Sequence, residues 1–198
     1  MIDTKEKILM TALHLFARDG YEAVSVSTIS GELGMTKGAL YKHYKNKRDI
    51  FDSIVARMYE IDAERSKQYQ VPEEQECKQP VSWDSVRKFT VAQFIFWTQD
   101  DFARSFRKML CLEQYRSEEM AQLYQGCIVT GPVDYMESIF AKMLSDGMMK
   151  TADPKLLALE YYAPMFLLLS SEDHLEKEQS LALLEKHIDR FVSEHMRG

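Results

Sequence analysis

Long apolar runs are missing from the 198 residues. The best, Leu156 to Leu169, is broken by Glu160 and Pro164 and falls short of the roughly 18 apolar residues of a spanning helix. It is expected to be a buried helix, and no membrane partner is expected. The opening MIDTKEKILM has acidic and basic side chains where an export signal would be apolar, so the cytoplasm is the expected location. Cysteine is scarce: Cys77, Cys111 and Cys127 are odd in number, far apart and without C-x-x-C spacing, which supports neither a disulfide framework nor a zinc site. Reduced thiols are expected. The chain also lacks a glycine-rich phosphate loop, a G-x-S-x-G elbow and any His/Cys/Asp cluster at ligand spacing. Catalytic residues, cofactors and metal ligands are therefore not expected, and a helical-bundle enzyme is the weaker alternative. His174, His187 and His195 are expected at rims or caps.

Runs of alternating β-branched residues are missing too, whereas apolar residues recur at three and four almost throughout. The chain is expected to be all-α, with about nine helices. A first helix from about Thr4 to Arg18 turns Ile8, Ala12, Leu15 and Phe16 inward, with Thr4 as its cap and Gly20 at its end. Ser25 caps a short helix with inward Val26, Ile29 and Leu33. After Gly34, Thr36 caps a helix from Lys37 to about Tyr44, and a long helix runs from Lys47 to about Tyr69. Val71 to Pro80, with two prolines and three glutamates, is a solvated loop. Further helices are expected at about 82–98, 102–111, 113–125, 132–147, 154–171 and 174–196. Pro132 and Pro154 suit first turns, the latter behind Asp153 as cap, and Pro164 must kink its helix.

The net charge of −6 argues against a nucleic-acid partner until it is divided. Residues 1–48 hold eight Lys and Arg against five Asp and Glu, a net of +3, and the remainder carries −9. A polyanion would be drawn to one end only. That end has the pattern of a helix-turn-helix, with Val26, Ile29, Leu33, Leu40 and Tyr44 inward. Its outward Lys37, Ala39, Lys42 and His43 supply donors for phosphate and a compact tip for a groove. Gly38 lets the helix approach a backbone closely, and Thr36 offers a hydroxyl. Ala39 suits a thymine methyl, and Lys42 or Lys37 can donate to guanine.

The stretch SVSTISGELGMTKGALYKHYKNK, with its T-K-G-x-L-Y-x-x-Y core, strongly resembles the DNA-binding segment of TetR-family transcriptional regulators. At motif level the resemblance covers about residues 4–60; beyond that it rests on length, helix count and the stretch DGMMKTADPKLLALEYY. It implies a homodimer on a palindromic double-stranded DNA operator, which represses and is released by a small-molecule effector. Residues 1–47 would form the DNA-binding domain, and 48–198 a ligand-binding and dimerisation domain. The matching DNA-contacting positions are Thr36, Lys37, Gly38, Tyr41, His43 and Lys47, with Ala39 and Lys42 toward base edges and Ser25 at the preceding cap. Ser30 and Gly31 depart from the family, which usually has alanine and a charged residue there; a helical glycine costs roughly 0.5–1 kcal/mol relative to alanine.

The second part is rich in methionine and aromatics. Singly each suits a core; together they suit an adaptable apolar pocket. Trp97, Tyr124, Met136, Phe140, Tyr162 and Phe166 are the expected lining, with Gln93, Glu113, Arg116 and Glu160 as candidates to orient a ligand. Glu160, amid apolar neighbours, would need a donor or a cationic ligand if buried. Leu156, Leu159, Ala163, Leu167, Leu181, Leu184, Ile188 and Phe191 exceed what one intramolecular contact needs. Half are expected in the core and half in a four-helix interface with a second subunit. A constitutive DNA-binding dimer without a ligand is the other alternative.

Overall fold

The computed structural model describes residues 3–69, 81–171 and 176–197. Cys77, His174 and the loop expected at Val71 to Pro80 lie outside them. The described residues form α1 (Thr4–Asp19), α2 (Val26–Glu32), α3 (Lys37–Leu40), α4 (Lys47–Gln68), α5 (Trp83–Gln99), α6 (Asp101–Glu113), α7 (Glu118–Tyr124), a π-helical segment (Gln125–Val129), α8 (Thr130–Ser145), α9 (Pro154–Ser170) and α10 (Lys177–His195). The chain is all-α, as its periodicity requires. It packs as two compact units, Met1–Asp62 with Asp101–Tyr124, and Ala63–Asp100 with Gln125–Gly198.

In the first unit, α1 buries Ile8, Leu9, Ala12, Leu13, Leu15 and Phe16. That stripe is wide enough for α1 to pack on both α2 and α6. From the other side come Ile29, Leu40, Tyr44, Ile50, Phe51, Ile54, Phe102, Phe106, Met109 and Leu110, all buried. Asp3, not Thr4, holds the N-cap position of α1 and makes no side-chain cap bond; Gly20 ends the helix at φ +85°, its N–H on the Phe16 carbonyl. The start of α4 is fixed by two side chains: Asn46 Oδ1 accepts from the Asp49 N–H at 2.9 Å, and Asp49 Oδ2 from the Lys45 N–H at 2.8 Å. Polar ties add to the core, with His14 Nε2 2.8 Å from Asp101 Oδ2 and Arg57 paired with Glu6.

In the second unit, α9 packs along α8, and α10 packs on α9 and α5. Phe94, Met136, Ile139, Phe140, Met143, Tyr161, Leu184, Ile188 and Phe191 belong to one buried cluster. Phe191 contacts the rings of Phe140 at 5.3 Å and Tyr161 at 5.0 Å, and burial pushes the Tyr161 phenol well above its ordinary range. That phenol donates to Thr90 Oγ1 at 2.8 Å. Asp153 caps α9 through the Leu156 N–H, and Pro154 takes its first turn as expected. The helix expected at 113–125 starts only at Glu118, where the Ser117 hydroxyl accepts from the Met120 N–H. The π segment was not expected.

Candidate nucleic-acid interface

Two capped helices separated by a tight turn build the basic end. Ser25 and Thr28 form a reciprocal capping box at the start of α2, with Ser25 Oγ accepting from the Thr28 N–H at 3.1 Å. Gly34, at φ +62°, makes the turn, and Thr36 Oγ1 accepts from the Ala39 N–H at 3.2 Å to start α3. Accepting that bond leaves the Thr36 hydroxyl its proton to donate outward. α3 stops at Leu40, earlier than the Tyr44 expected, because Lys42 and His43 bond back three residues to Ala39 and Leu40 in a tightened turn.

The arrangement sorts the stretch by exposure. Leu40 and Tyr44 are buried, and the Tyr44 hydroxyl donates to the Lys5 carbonyl at 3.3 Å. Ser25, Thr36, Lys37, Gly38 and Lys42 are exposed, Tyr41 is 50% exposed, and Ala39, His43 and Lys47 are half-buried. Lys47 is already engaged, its Nζ donating to the Tyr21 carbonyl at 2.8 Å and lying 4.1 Å from the Tyr21 ring centroid. An ammonium has three donors, so phosphate is still within its capacity. Gly38 is the informative position. A Cβ placed there would meet nothing nearer than Thr36 Oγ1 at 3.9 Å, so the chain itself does not require the side chain's absence.

Arg48 pairs with Asp52 and makes a two-pronged contact with Glu119, which holds the Glu119 carboxyl below the ordinary carboxylate range. A groove of about 560 Å³ beside it is lined by Arg48, Phe51, Val55, Tyr59, Glu119 and Leu123, none of them expected. The expected ligand residues divide between the units. Gln93, Trp97, Met136, Phe140, Tyr162 and Phe166 lie in the second, and Tyr124 lies in the first. Phe140 is wholly buried, and Trp97 and Phe166 pack against the same cluster. Gln93 Oε1 accepts from Arg65 Nε at 3.1 Å. Glu160 is exposed rather than buried, 3.1 Å from His195 Nε2, and so needs no buried cation. His187 Nε2 meets the Tyr161 carbonyl at 3.1 Å. Of the eight interface candidates, Leu156, Leu159, Ala163 and Leu167 are exposed on α9, Leu181 is half-buried, and Leu184, Ile188 and Phe191 lie in the chain's own core.

Residues 8–54 match the family profile described as bacterial regulatory proteins, tetR family. Over this helix-turn-helix segment the chain is similar to the tetR family of bacterial regulatory proteins. Among its relatives, it is 34% identical over 94 residues to the uncharacterized HTH-type transcriptional regulator YerO of Bacillus subtilis, covering 48% of this chain and 31% of YerO. The match to AcrR of Shigella flexneri is 40% over 52 residues, 26% of this chain and 24% of AcrR. The chain thus spans under a third of the length of either relative. YhgD of Bacillus subtilis, another uncharacterized HTH-type regulator, matches at 24% across 97% of this chain and 98% of its own. The same fold over the full length is seen in SmeT bound to triclosan, with a TM-score of 0.74 at 20% identity, covering 98% of this chain and 92% of SmeT.

Proposed function

We propose that this chain is a TetR-family DNA-binding homodimer that represses transcription from a palindromic operator and releases it when a small hydrophobic molecule binds. Gly38 is the observation that carries DNA reading. It is an exposed helical glycine, disfavoured by about 0.5–1 kcal/mol against alanine, at a place where the protein would tolerate a methyl group. Close approach of an external backbone accounts for it, and the exposed Thr36, Lys37 and Lys42 around it supply donors. In this reading residues 1–47 read DNA and 48–198 bind the effector and the second copy, in the cytoplasm, with no catalytic role.

Dimerisation rests on Leu156, Leu159, Ala163 and Leu167, which repeat at helical spacing on an exposed face of α9. Two copies would present two α3 helices to successive major-groove faces of a palindrome. The effector reading rests on the methionine and aromatic content of the second unit, and on relatives: SmeT is seen with triclosan, and a regulator from Saccharomonospora viridis with choline. A ligand acts by preferring the state with the wrong spacing of reading heads. The constitutive alternative draws on Phe140 and Tyr162, both already engaged by the chain.

The test is binding to the duplex immediately upstream of the chain's own gene, titrated with salt and with hydrophobic compounds. Repression predicts tight binding that weakens steeply with salt and is lost with an effector. Binding that no compound alters supports the constitutive dimer, and no binding to any duplex ends the proposal.

A further inference from the structure

One buried carboxylate lies far along the chain from the reading stretch yet touches its frame. Glu113, the last residue of α6, is 2% exposed, and its Oε1 accepts the backbone N–H of Tyr21 at 2.9 Å, in the connector between α1 and α2. The Tyr21 carbonyl accepts from Lys47 Nζ at 2.8 Å, and the Tyr21 ring lies edge-on to Phe16 at 5.1 Å and Phe51 at 5.2 Å. Arg116 Nε stands 3.4 Å from the same Glu113 oxygen. Gly20 makes the approach possible: at φ +85° a Cβ would come within 2.9 Å of that oxygen. The Tyr21 backbone is thereby gripped from both sides, by a carboxylate on α6 and by the ammonium that opens α4. Consistently, 101–124 pack in the same compact unit as the helix-turn-helix.

We infer that Glu113 is a positioning residue for DNA reading: through the Tyr21 N–H it fixes the connector, and through the Tyr21 carbonyl it fixes where the Lys47 ammonium meets phosphate. The inference rests on the DNA-binding proposal above. An acceptor is what the geometry requires at 113, since the group it faces is a connector N–H that donates to its carboxylate rather than to a backbone carbonyl, beside a positive-φ glycine. Glutamine can supply that acceptor, and alanine cannot.

The experiment compares the full-length chain with Glu113→Ala and Glu113→Gln, each checked for helical content and melting temperature. The readouts are affinity for the upstream duplex across a salt series, and hydrogen exchange at the Tyr21 amide. In Glu113→Ala the Tyr21 amide should lose protection, affinity should fall about tenfold, and the salt slope should drop by about one phosphate contact. Glu113→Gln should keep the amide protected and stay within about threefold of the parent in affinity. If Glu113→Ala does not fold, Glu113→Asp, which stays charged but draws back by one methylene, carries the same expectation. A folded variant that exposes the Tyr21 amide yet binds with parental affinity and slope overturns the inference alone. Equal loss in Glu113→Gln and Glu113→Ala overturns the acceptor role. A parent chain that binds no duplex overturns the DNA-reading proposal itself, and shows this before any variant is compared.

Discussion

The Tyr162 hydroxyl donates to the Ile128 carbonyl across 2.6 Å, and Pro132 is the reason that carbonyl is available. In an α-helix the Ile128 carbonyl would take the N–H of residue 132, which proline lacks. The backbone relaxes into the π segment at Gln125–Val129, and Tyr162 from α9 fills the vacancy. Ile128 is buried, so the carbonyl has no water to fall back on. Tyr162→Phe should cost about 1–3 kcal/mol of stability, measured by urea unfolding. An unchanged unfolding midpoint would mean that the π segment satisfies itself.

Several helix caps and much of the core were legible because they follow from local rules. Ser25, Thr36 and Asp153 cap where a short polar acceptor precedes an apolar repeat, and Gly20 and Gly34 end helices at positive φ. Contacts between distant segments were not legible. Nothing near Tyr21 announces Glu113, and Arg48 looks like one more basic residue until Glu119 is placed beside it. Asp52, four residues after Arg48, was the one local sign that this arginine has a structural partner. Periodicity also could not divide an apolar face into core and exposed surface. Leu167 and Leu184 carry the same side chain on helical repeats, and only packing shows that one is 65% exposed and the other 1%.

Two glycines with open surroundings should separate folding from reading. At Gly31 in α2 a Cβ would meet nothing within 4 Å, and at Gly38 nothing nearer than 3.9 Å. Each glycine-to-alanine change should stabilise the chain by about 0.5–1 kcal/mol. Gly31→Ala should leave DNA affinity unaltered, whereas Gly38→Ala should weaken it about tenfold, because in the proposed docking the methyl group would stand between α3 and the DNA backbone. Thermal melts and fluorescence anisotropy on one duplex read both. Equal DNA affinity of the two variants would remove the argument from Gly38.

The lysines of the reading stretch should differ in kind. Lys37 and Lys42 are both exposed, on α3 and just beyond it. Lys37→Ala should weaken binding to all duplexes alike and lower the salt slope by about one contact, as a phosphate donor does. Lys42→Ala should relax the preference for the operator over random duplex, as loss of a base-edge donor does. Competition binding against random duplex across a salt series distinguishes them. If neither change alters affinity, slope or preference, α3 is not the reading helix.

Tyr44 should make the first unit sensitive to alkali. Burial, reinforced by the negative charges of Glu6 and Asp49, pushes its phenol up to about 12, from an ordinary value near 10. A phenol raised in the folded state holds its stabilising contribution below pH of about 10, and loses it as pH climbs through about 12. The phenolate would also forfeit its donation to the Lys5 carbonyl. Relative to Tyr44→Phe, which cannot ionise, the parent should lose stability progressively across that window. Parallel stability-versus-pH curves for the two proteins would refute the assignment.

The exposed and buried leucines of the last two helices give the sharpest contrast. Leu156, Leu159 and Leu167 are all exposed on α9, and their repeat leaves an apolar strip with Ala163 between them. Leu184 sits in the core cluster with Ile188 and Phe191. Leu167→Glu should leave the melting behaviour of the folded chain intact while converting a dimer to a monomer by light scattering, since a charge at a buried interface is costly to desolvate. The monomer presents one reading helix rather than two, so its affinity for a palindrome should collapse toward that for a half-site. Leu184→Ala should do the reverse, costing about 2–5 kcal/mol in unfolding while the surviving folded fraction still dimerises. A Leu167→Glu protein that remains a dimer would move the interface off this face of α9. A Leu184→Ala protein that loses dimerisation at full stability would put α10's inward face at the partner instead of in the core.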